Sequence, residues 1–126
     1  MSATYLLLGL GGLAGTFARF FIGAWAHPHG QGFPRGTLLI NLVGSLALGF
    51  VLRHSRFSLD TAPALRTGLA VGFCGAFTTM STFAFDSLRL LETRAWAAAA
   101  LYVGTTVAGC LLAVWAGTLL ASRLSA

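Results

Sequence analysis

Four long apolar runs, separated by short polar connections, constrain the fold of this chain more than any other feature. The runs cover roughly residues 4–25, 36–52, 63–91 and 95–122. A helix needs about 20 mostly apolar residues to cross the hydrocarbon core of a bilayer, so each run is long enough to span a membrane. Charged residues make up only 9% of the chain, whereas about 25% is usual for soluble domains. We therefore predict one all-α domain, residues 1–126, with four transmembrane helices in a multi-pass membrane protein.

The connections and the acidic residues argue against an enzyme. The polar segments between the runs are too short to hold an active site of their own. Asp60 lies in the second connection, and Asp86 and Glu92 fall in the last turns of the third run. Because no acidic residue lies at mid-span, the chain offers no deep carboxylate for hydrolysis or for proton relay.

Small and hydroxyl-bearing residues interrupt the third run at the depth expected for the middle of the membrane. Glycine and several hydroxyls weaken a regular helix, and broken backbone is tolerated within a membrane only where protein or a water-filled path satisfies it. Broken helices are also where transporters bind ions. We therefore predict that the third helix is broken at mid-membrane. The residues that carry this prediction are Gly72, Gly75, Thr78, Thr79, Ser81 and Thr82.

The eight basic residues are all arginines and are spread singly along the chain, which is unlike a nucleic-acid-binding surface. Cytoplasmic connections normally hold an excess of basic residues, so the distribution of arginines indicates orientation. The two sides are nearly balanced, whichever way Arg19 within the first span is counted. This balance predicts insertion in both orientations and, in the lipid bilayer, an antiparallel homodimer. One side has Arg53, Arg56, Arg66 and Arg123, and the other has Arg35, Arg89 and Arg94.

Two Gly-x-x-x-Gly motifs mark faces where helices can approach closely. One joins Gly11 to Gly15 in the first run, and the other joins Gly68 to Gly72 in the third. Small residues at this spacing let the backbones of membrane helices come into contact. The motif is common in packed bundles, so it predicts close packing and little more.

Polar side chains inside the apolar runs are the candidates for function. Arg19 is either a snorkelling anchor or a cation that draws anions into a vestibule. Asn41 is either a hydrogen-bonding residue between helices or an amide donor that lines a pore. Tyr102, Thr106 and Cys110 recur every four residues, which indicates either ordinary helix packing or a polar track for an ion.

Metal chemistry at side chains finds little support. His27 and His29 lie in a connection without a third ligand, which favours a solvated loop. Cys74 and Cys110 lack C-x-x-C spacing, and we interpret them as small buried hydrophobic residues.

Three segments, which cover residues 11–20, 36–45 and 72–86, resemble the small bacterial fluoride channel family, the CrcB or Fluc family. Residues 72–86 read GFCGAFTTMSTFAFD, which is similar to the third-span signature GFCGGxTTFSTFSxE of that family. Residues 11–20 read GGLAGTFARF, and residues 36–45 read GTLLINLVGS; both match the family in order and spacing. The resemblance covers nearly the whole chain.

The resemblance implies a dual-topology homodimer in the bacterial plasma membrane, through which fluoride leaves the cytoplasm passively by two pores. It also implies a structural Na+ at the centre of the dimer, held by backbone carbonyls of Gly75 and Thr78. Asn41 would be the pore amide, and Arg19 the vestibule cation. The other pore positions that match the family are Met80, Ser81, Thr82, Phe83, Tyr102, Thr106 and Cys110.

Four departures from the family pattern bear on the predicted site. Met80 stands where the family has the first phenylalanine of a pair, so an aromatic ring edge is replaced by a flexible thioether. This predicts slower or differently gated conduction with the fold retained, since Met and Phe have similar bulk. Ala76 replaces a glycine, Asp86 replaces a glutamate, and Cys110 stands where a hydroxyl residue is usual.

The alternative is a small multidrug transporter that is also four-spanned and inserted in both orientations. Such a proton-coupled exporter needs a carboxylate embedded in the membrane, and the sequence has none at mid-span. A haem-carrying anchor subunit would need histidines within its spans, and His27, His29 and His54 all lie in connections.

Overall fold

A computed structural model describes residues 2–26 and 32–125, and the described residues form helices and loops only. Four helical segments are long and apolar enough to cross a membrane, which confirms the predicted all-α membrane architecture. Their ends lie within two residues of the predicted ones. The spans are α1 (Ser2–Ala26), α2 (Arg35–Arg53), a composite third span (Pro63–Glu92) and α6 (Trp96–Leu124).

The third span is built from four pieces and is broken near its middle, as predicted. It begins with Pro63 in the first turn of α3, where the missing N–H of proline costs nothing. At the break, Thr78 has φ −77° and ψ 158°, and Thr79 has φ −148° and ψ 112°. These extended residues end one helix and start the next. The pieces are α3 (Pro63–Thr67), a π-helical segment (Gly68–Cys74), α4 (Gly75–Phe77) and α5 (Met80–Glu92).

The two glycine motifs pack against each other inside one chain. A Cβ at Gly11 would overlap the carbonyl oxygen of Gly68, and a Cβ at Gly15 would overlap that of Phe73. At Gly72, a Cβ would stand 2.7 Å from the carbonyl oxygen of Leu8. The contact therefore joins α1 to the π-helical segment, backbone against backbone, as small residues at this spacing permit.

Glycines also bring α2 and α6 into contact. A Cβ at Gly49 would overlap the carbonyl oxygen of Val114, and a Cβ at Gly117 would overlap that of Leu46. Because only glycine lets the backbones approach this closely, the pairing of α2 with α6 depends on these two positions. This contact positions the part of α6 that carries Thr106 and Cys110.

Much of the apolar surface is exposed on the outside of the protomer. In α1 only 6% of the most apolar 18-residue window is buried, and Leu6, Leu13 and Phe17 are all more than half exposed. A soluble monomer rarely leaves so large an apolar face in water. The surface suits contact with lipid or with a second copy of the chain.

Two arginines shape the connections. The Arg66 guanidinium donates to the carbonyl oxygens of Leu52 at 3.0 Å and Phe57 at 3.2 Å, so it ties α3 to the end of α2. Arg94 has φ 59° and lies where the chain turns from α5 into α6. There the N–H of Ala95 donates to the carbonyl of Leu90 at 2.9 Å, the hydrogen bond that typically closes a helix with a left-handed residue.

Candidate functional site

Asn41 holds the broken third span by two hydrogen bonds to one residue. Its Oδ1 accepts from the Thr79 N–H at 2.8 Å, and its Nδ2 donates to the Thr79 carbonyl oxygen at 3.1 Å. Both residues are buried, and buried backbone groups need such partners. The sequence left Asn41 open between bonding two helices and lining a pore. The structure shows the bonds to Thr79 and also places Asn41 on the wall of a cavity, so its role in a pore stays a prediction.

Thr79 also starts the second half of the span. Its hydroxyl accepts from the Thr82 N–H at 3.2 Å, so it caps α5 in the way that threonine commonly caps a helix. The same hydroxyl lies 3.0 Å from the Thr82 hydroxyl and 3.3 Å from that of Ser81. Three hydroxyls therefore cluster beside the break. The sequence analysis named Thr79 only as one of several residues that weaken the helix. Its central place depends on its extended conformation, which residue type alone does not predict.

A cavity of about 410 Å³ opens beside Asn41 and Thr79, between α2, α5 and α6. Four more of the sequence-predicted pore residues line it. Its walls are mainly apolar, and none of the described residues that line it carries a charge. The cavity is lined by Asn41, Ser45, Leu48, Thr78, Thr79, Met80, Phe83, Thr106, Val107, Cys110, Leu111 and Val114.

Thr106 lines this cavity and carries a buried hydroxyl that is unpaired. The residue is 5% exposed, and its Oγ1 has no hydrogen-bond partner among the residues that the structure describes. Leaving a buried hydroxyl unsatisfied costs about 1–3 kcal/mol. In native structures the missing partner of such a group is commonly an ordered water or an ion.

The aromatic and thioether positions of the cavity differ in exposure. Phe83 is buried and its ring lies 5.3 Å from that of Tyr102 at an angle of 45°. Tyr102 is completely buried and lines neither this cavity nor the second one described below. Met80 is 74% exposed, so its side chain lies at the rim of the cavity.

A second cavity of about 390 Å³ surrounds Arg19, on the other side of the break. Thr37, Thr79 and Thr82 are among the residues that line it. The Arg19 guanidinium reaches the carbonyl oxygen of Thr78 at 3.5 Å, a long contact that leaves the charge able to attract an anion. Thr79 lines both cavities. The two hydrogen bonds between Asn41 and Thr79, called the clamp below, therefore lie between the two cavities.

A polar cluster beyond the second cavity was not singled out by the sequence. The Thr37 hydroxyl donates to the Asp86 carboxylate at 2.8 Å, and the Tyr102 hydroxyl lies 3.5 Å from the same oxygen. Arg89 approaches the carboxylate at 3.9 Å. Thr37 precedes Asn41 by one helical turn, so its position on the Asn41 face was the available signal.

The backbone carbonyls expected to hold Na+ have the character that such an ion requires. In a continuous helix the Thr79 N–H would bond to the Gly75 carbonyl, but here it is given to Asn41. Among the residues that the structure describes, the Thr78 carbonyl accepts only the long contact from Arg19. Gly75 lies on an exposed face of the protomer, and a Cβ there would meet nothing closer than 4.0 Å. Hard carbonyl oxygens on an open face therefore fit a shared hard cation.

The sequence-predicted site residues thus divide into groups. One group lines the first cavity, and Arg19 and Thr82 line the second. Ser81 is exposed and bonds near the break, and Tyr102 packs behind Phe83. His27 and His29 lie outside the described residues. The first group is Asn41, Met80, Phe83, Thr106 and Cys110.

Comparison with known proteins places this geometry in a family. The family model described as CrcB-like protein, Camphor Resistance (CrcB), matches residues 6–118. A fluoride-specific ion channel FluC from Anaeromyxobacter sp. (strain K) is 46% identical over 124 residues, covering 98% of both chains. The protein of the same name from Acidobacterium capsulatum is 38% identical and covers 97% of this chain and 98% of its own length. A longer FluC from Methylococcus capsulatus is 43% identical over 99% of this chain but only 55% of its own length.

The four spans and these bacterial relatives agree on a multi-pass bacterial membrane protein. The family match covers well over half of the chain, and the relatives match it nearly from end to end. The chain therefore belongs to the CrcB-like family of membrane proteins, whose similar members are named fluoride-specific ion channels.

Proposed function

We propose that this chain is a fluoride-selective channel that lets F− leave the cytoplasm passively. The observation that carries the proposal is the buried, unpaired hydroxyl of Thr106 in an uncharged cavity. The names of the similar proteins support it independently. An ion channel of this kind carries out no chemical reaction.

The donors along the cavity suit a small, strongly hydrated anion. The Thr106 hydroxyl is free to donate, and the Asn41 amide has two N–H groups, of which one is used by the Thr79 carbonyl. Such neutral donors replace part of the hydration shell of F−. They bind it more weakly than a fixed cation would, and conduction requires that the ion also be released.

Arg19 would act at the entrance. It lines the second cavity and no charged residue lines the first among those described. A positive charge at the mouth raises the local concentration of anions. A neutral interior then lets them pass. The clamp of Asn41 and Thr79, which separates the two cavities, would be the point where the ion passes from one to the other.

The complete channel would be an antiparallel dimer with two pores and one structural Na+. Each protomer carries its own pair of cavities, so two copies would provide two paths. The carbonyls of Gly75 and Thr78 would bind the ion together with the same groups of the partner. When bound, Na+ supplies a fixed positive charge and holds the two breaks together.

The proton-coupled exporter has no comparable support. It would place an acidic side chain on the transport path, and neither cavity is lined by one within the described part of the chain. Asp86 instead accepts a hydrogen bond from Thr37.

The test is fluoride efflux from liposomes, followed with a fluoride electrode, for the wild type and for Thr106→Val. Valine keeps the shape of threonine and removes only the hydroxyl. A hydrogen bond to a charged group contributes about 1.5–3 kcal/mol, so we expect fluoride efflux to fall about tenfold or more.

Thr105→Val is the matched control. Its hydroxyl is on the exposed side of the same helix and donates to the Leu101 carbonyl at 2.6 Å, so efflux should stay at the wild-type rate. Wild-type vesicles should release fluoride and retain chloride. Equal release of both anions, or a Thr106→Val variant as fast as wild type, would contradict the proposal.

A further inference from the structure

Two sulfur-containing side chains from different helices line the cavity that Thr106 also lines. Cys110 lies one helical turn after Thr106 on α6, and Met80 is the first residue of α5. Both line the same cavity of about 410 Å³. Cys110 is a free thiol and is only partly buried. Both positions depart from the fluoride channel pattern that the sequence resembles.

The surroundings favour a soft cation at this pair. Thiolate and thioether sulfur select soft metal ions such as Cu+, whereas the oxygen donors elsewhere in the cavity suit hard ions. None of the described residues lining the cavity is positively charged, so a cation meets no fixed charge of its own sign. Met80 is 74% exposed and has three rotatable bonds, so its side chain can change rotamer without displacing its neighbours.

We propose that Cys110 and Met80 together bind one soft monovalent d10 cation, Ag+ or Cu+, and that the bound ion blocks the cavity. On binding, the Cys110 thiol releases its proton to water and its sulfur forms a bond to the metal. The Met80 sulfur donates a lone pair as the second ligand. No electron is transferred, and two sulfur ligands are enough for an ion of this type.

The Thr106 hydroxyl explains why a bound metal ion would block fluoride. It is buried, unpaired and one turn from Cys110, so a metal held by the two sulfurs stands beside the donor proposed to bind F−. The metal site itself needs only the cavity and the two sulfurs. The block rests on the proposed fluoride channel function.

Silver binding to the purified detergent-solubilised protein tests the site directly. Native mass spectrometry in chloride-free nitrate buffer, with AgNO3 as the probe, counts ions for each protomer. We expect one Ag+ per protomer in wild type and none in Cys110→Ser. In Met80→Leu, which removes sulfur at an exposed position, affinity should fall at least about tenfold, since mutation of even an outer-shell partner commonly costs 10–100-fold in metal affinity.

Cys74→Ala is the matched control, because Cys74 is the other cysteine of the chain, is 2% exposed and lines neither cavity. It should keep the silver ion. Silver retained by Cys110→Ser, or bound by Met80→Leu as tightly as by wild type, would overturn the two-sulfur site. Met80→Phe provides a second sulfur-free variant with the same expected loss.

Fluoride efflux from liposomes tests the block separately, in chloride-free medium because AgF is soluble and AgCl is not. Silver should slow efflux from wild type and Cys74→Ala about tenfold and leave Cys110→Ser at its own silver-free rate. If silver binds but wild-type efflux is unchanged, the block is wrong. If no variant releases fluoride even without silver, the proposed channel function fails, while the binding experiment still decides the metal site.

Discussion

Replacing Asn41 by alanine should destabilise the protein by removing the clamp on the broken span. The two hydrogen bonds from Asn41 satisfy the N–H and the carbonyl of Thr79 at 2.8 and 3.1 Å, and Thr79 is only 7% exposed. A buried polar group left unsatisfied costs about 1–3 kcal/mol, so two such groups amount to about 2–6 kcal/mol. Because the adjacent cavity admits water, we expect a loss in the lower half of that range.

Unfolding of purified protein in mixed micelles, titrated with denaturing detergent, measures this loss. Ser45→Ala is the matched control, since Ser45 lies one turn further along the same helix and lines the same cavity. Its side chain makes no hydrogen bond to any residue that the structure describes. Its removal should therefore change the unfolding free energy by less than about 0.5 kcal/mol.

Equal small losses for the two variants would refute the clamp, because they would show that water replaces Asn41 at no cost. A large loss in Asn41→Ala alone would support it. This outcome also bears on transport experiments. Reduced fluoride efflux in Asn41→Ala would combine a lost donor with a displaced break, and the unpaired hydroxyl of Thr106 is the cleaner probe of the pore.

Three further predictions concern packing, backbone strain and conduction. Gly117→Ala should lower the free energy of unfolding by about 1–3 kcal/mol, because the added methyl pushes α6 away from α2. Gly104→Ala lies on the same helix, where a Cβ meets nothing within 4 Å, and should raise it by up to about 1 kcal/mol. Detergent unfolding of both variants measures the difference, and similar values would contradict the close contact. Arg94→Gly should raise the free energy of unfolding by up to about 1 kcal/mol, because Arg94 has φ 59°, a left-handed conformation that is unfavourable for residues with a Cβ. A lower melting temperature would contradict strain at this turn. Met80→Phe should leave the melting temperature unchanged, since Met80 is 74% exposed. It should also speed fluoride efflux from liposomes by restoring an aromatic ring edge. Slower efflux would show that the thioether conducts better.

Local composition was sufficient to predict much of this architecture. The four spans follow from run length and hydropathy, because the bilayer sets a minimum apolar length for each helix. The break follows from residue type, since glycines and hydroxyls at mid-span favour local bonding over a continuous helix. The extended Thr78 and Thr79 lie within the segment that carried this prediction.

The sequence could not assign the roles of residues that share a helical face. Tyr102, Thr106 and Cys110 have the same spacing, yet only Thr106 and Cys110 line the cavity, while Tyr102 packs against Phe83. Spacing alone places residues on a face. It does not say how far along that face the neighbouring helix covers them.

Hydrophobic length and residue type therefore settled the number of spans, their approximate ends and the presence of a break, because each of these depends on a short stretch of chain. The partner of each glycine face, the clamp of Asn41 on Thr79 and the unpaired state of the Thr106 hydroxyl were decided by tertiary structure. Each of these three features involves groups that are distant in sequence. Whether such groups come into contact depends on how closely whole helices pack.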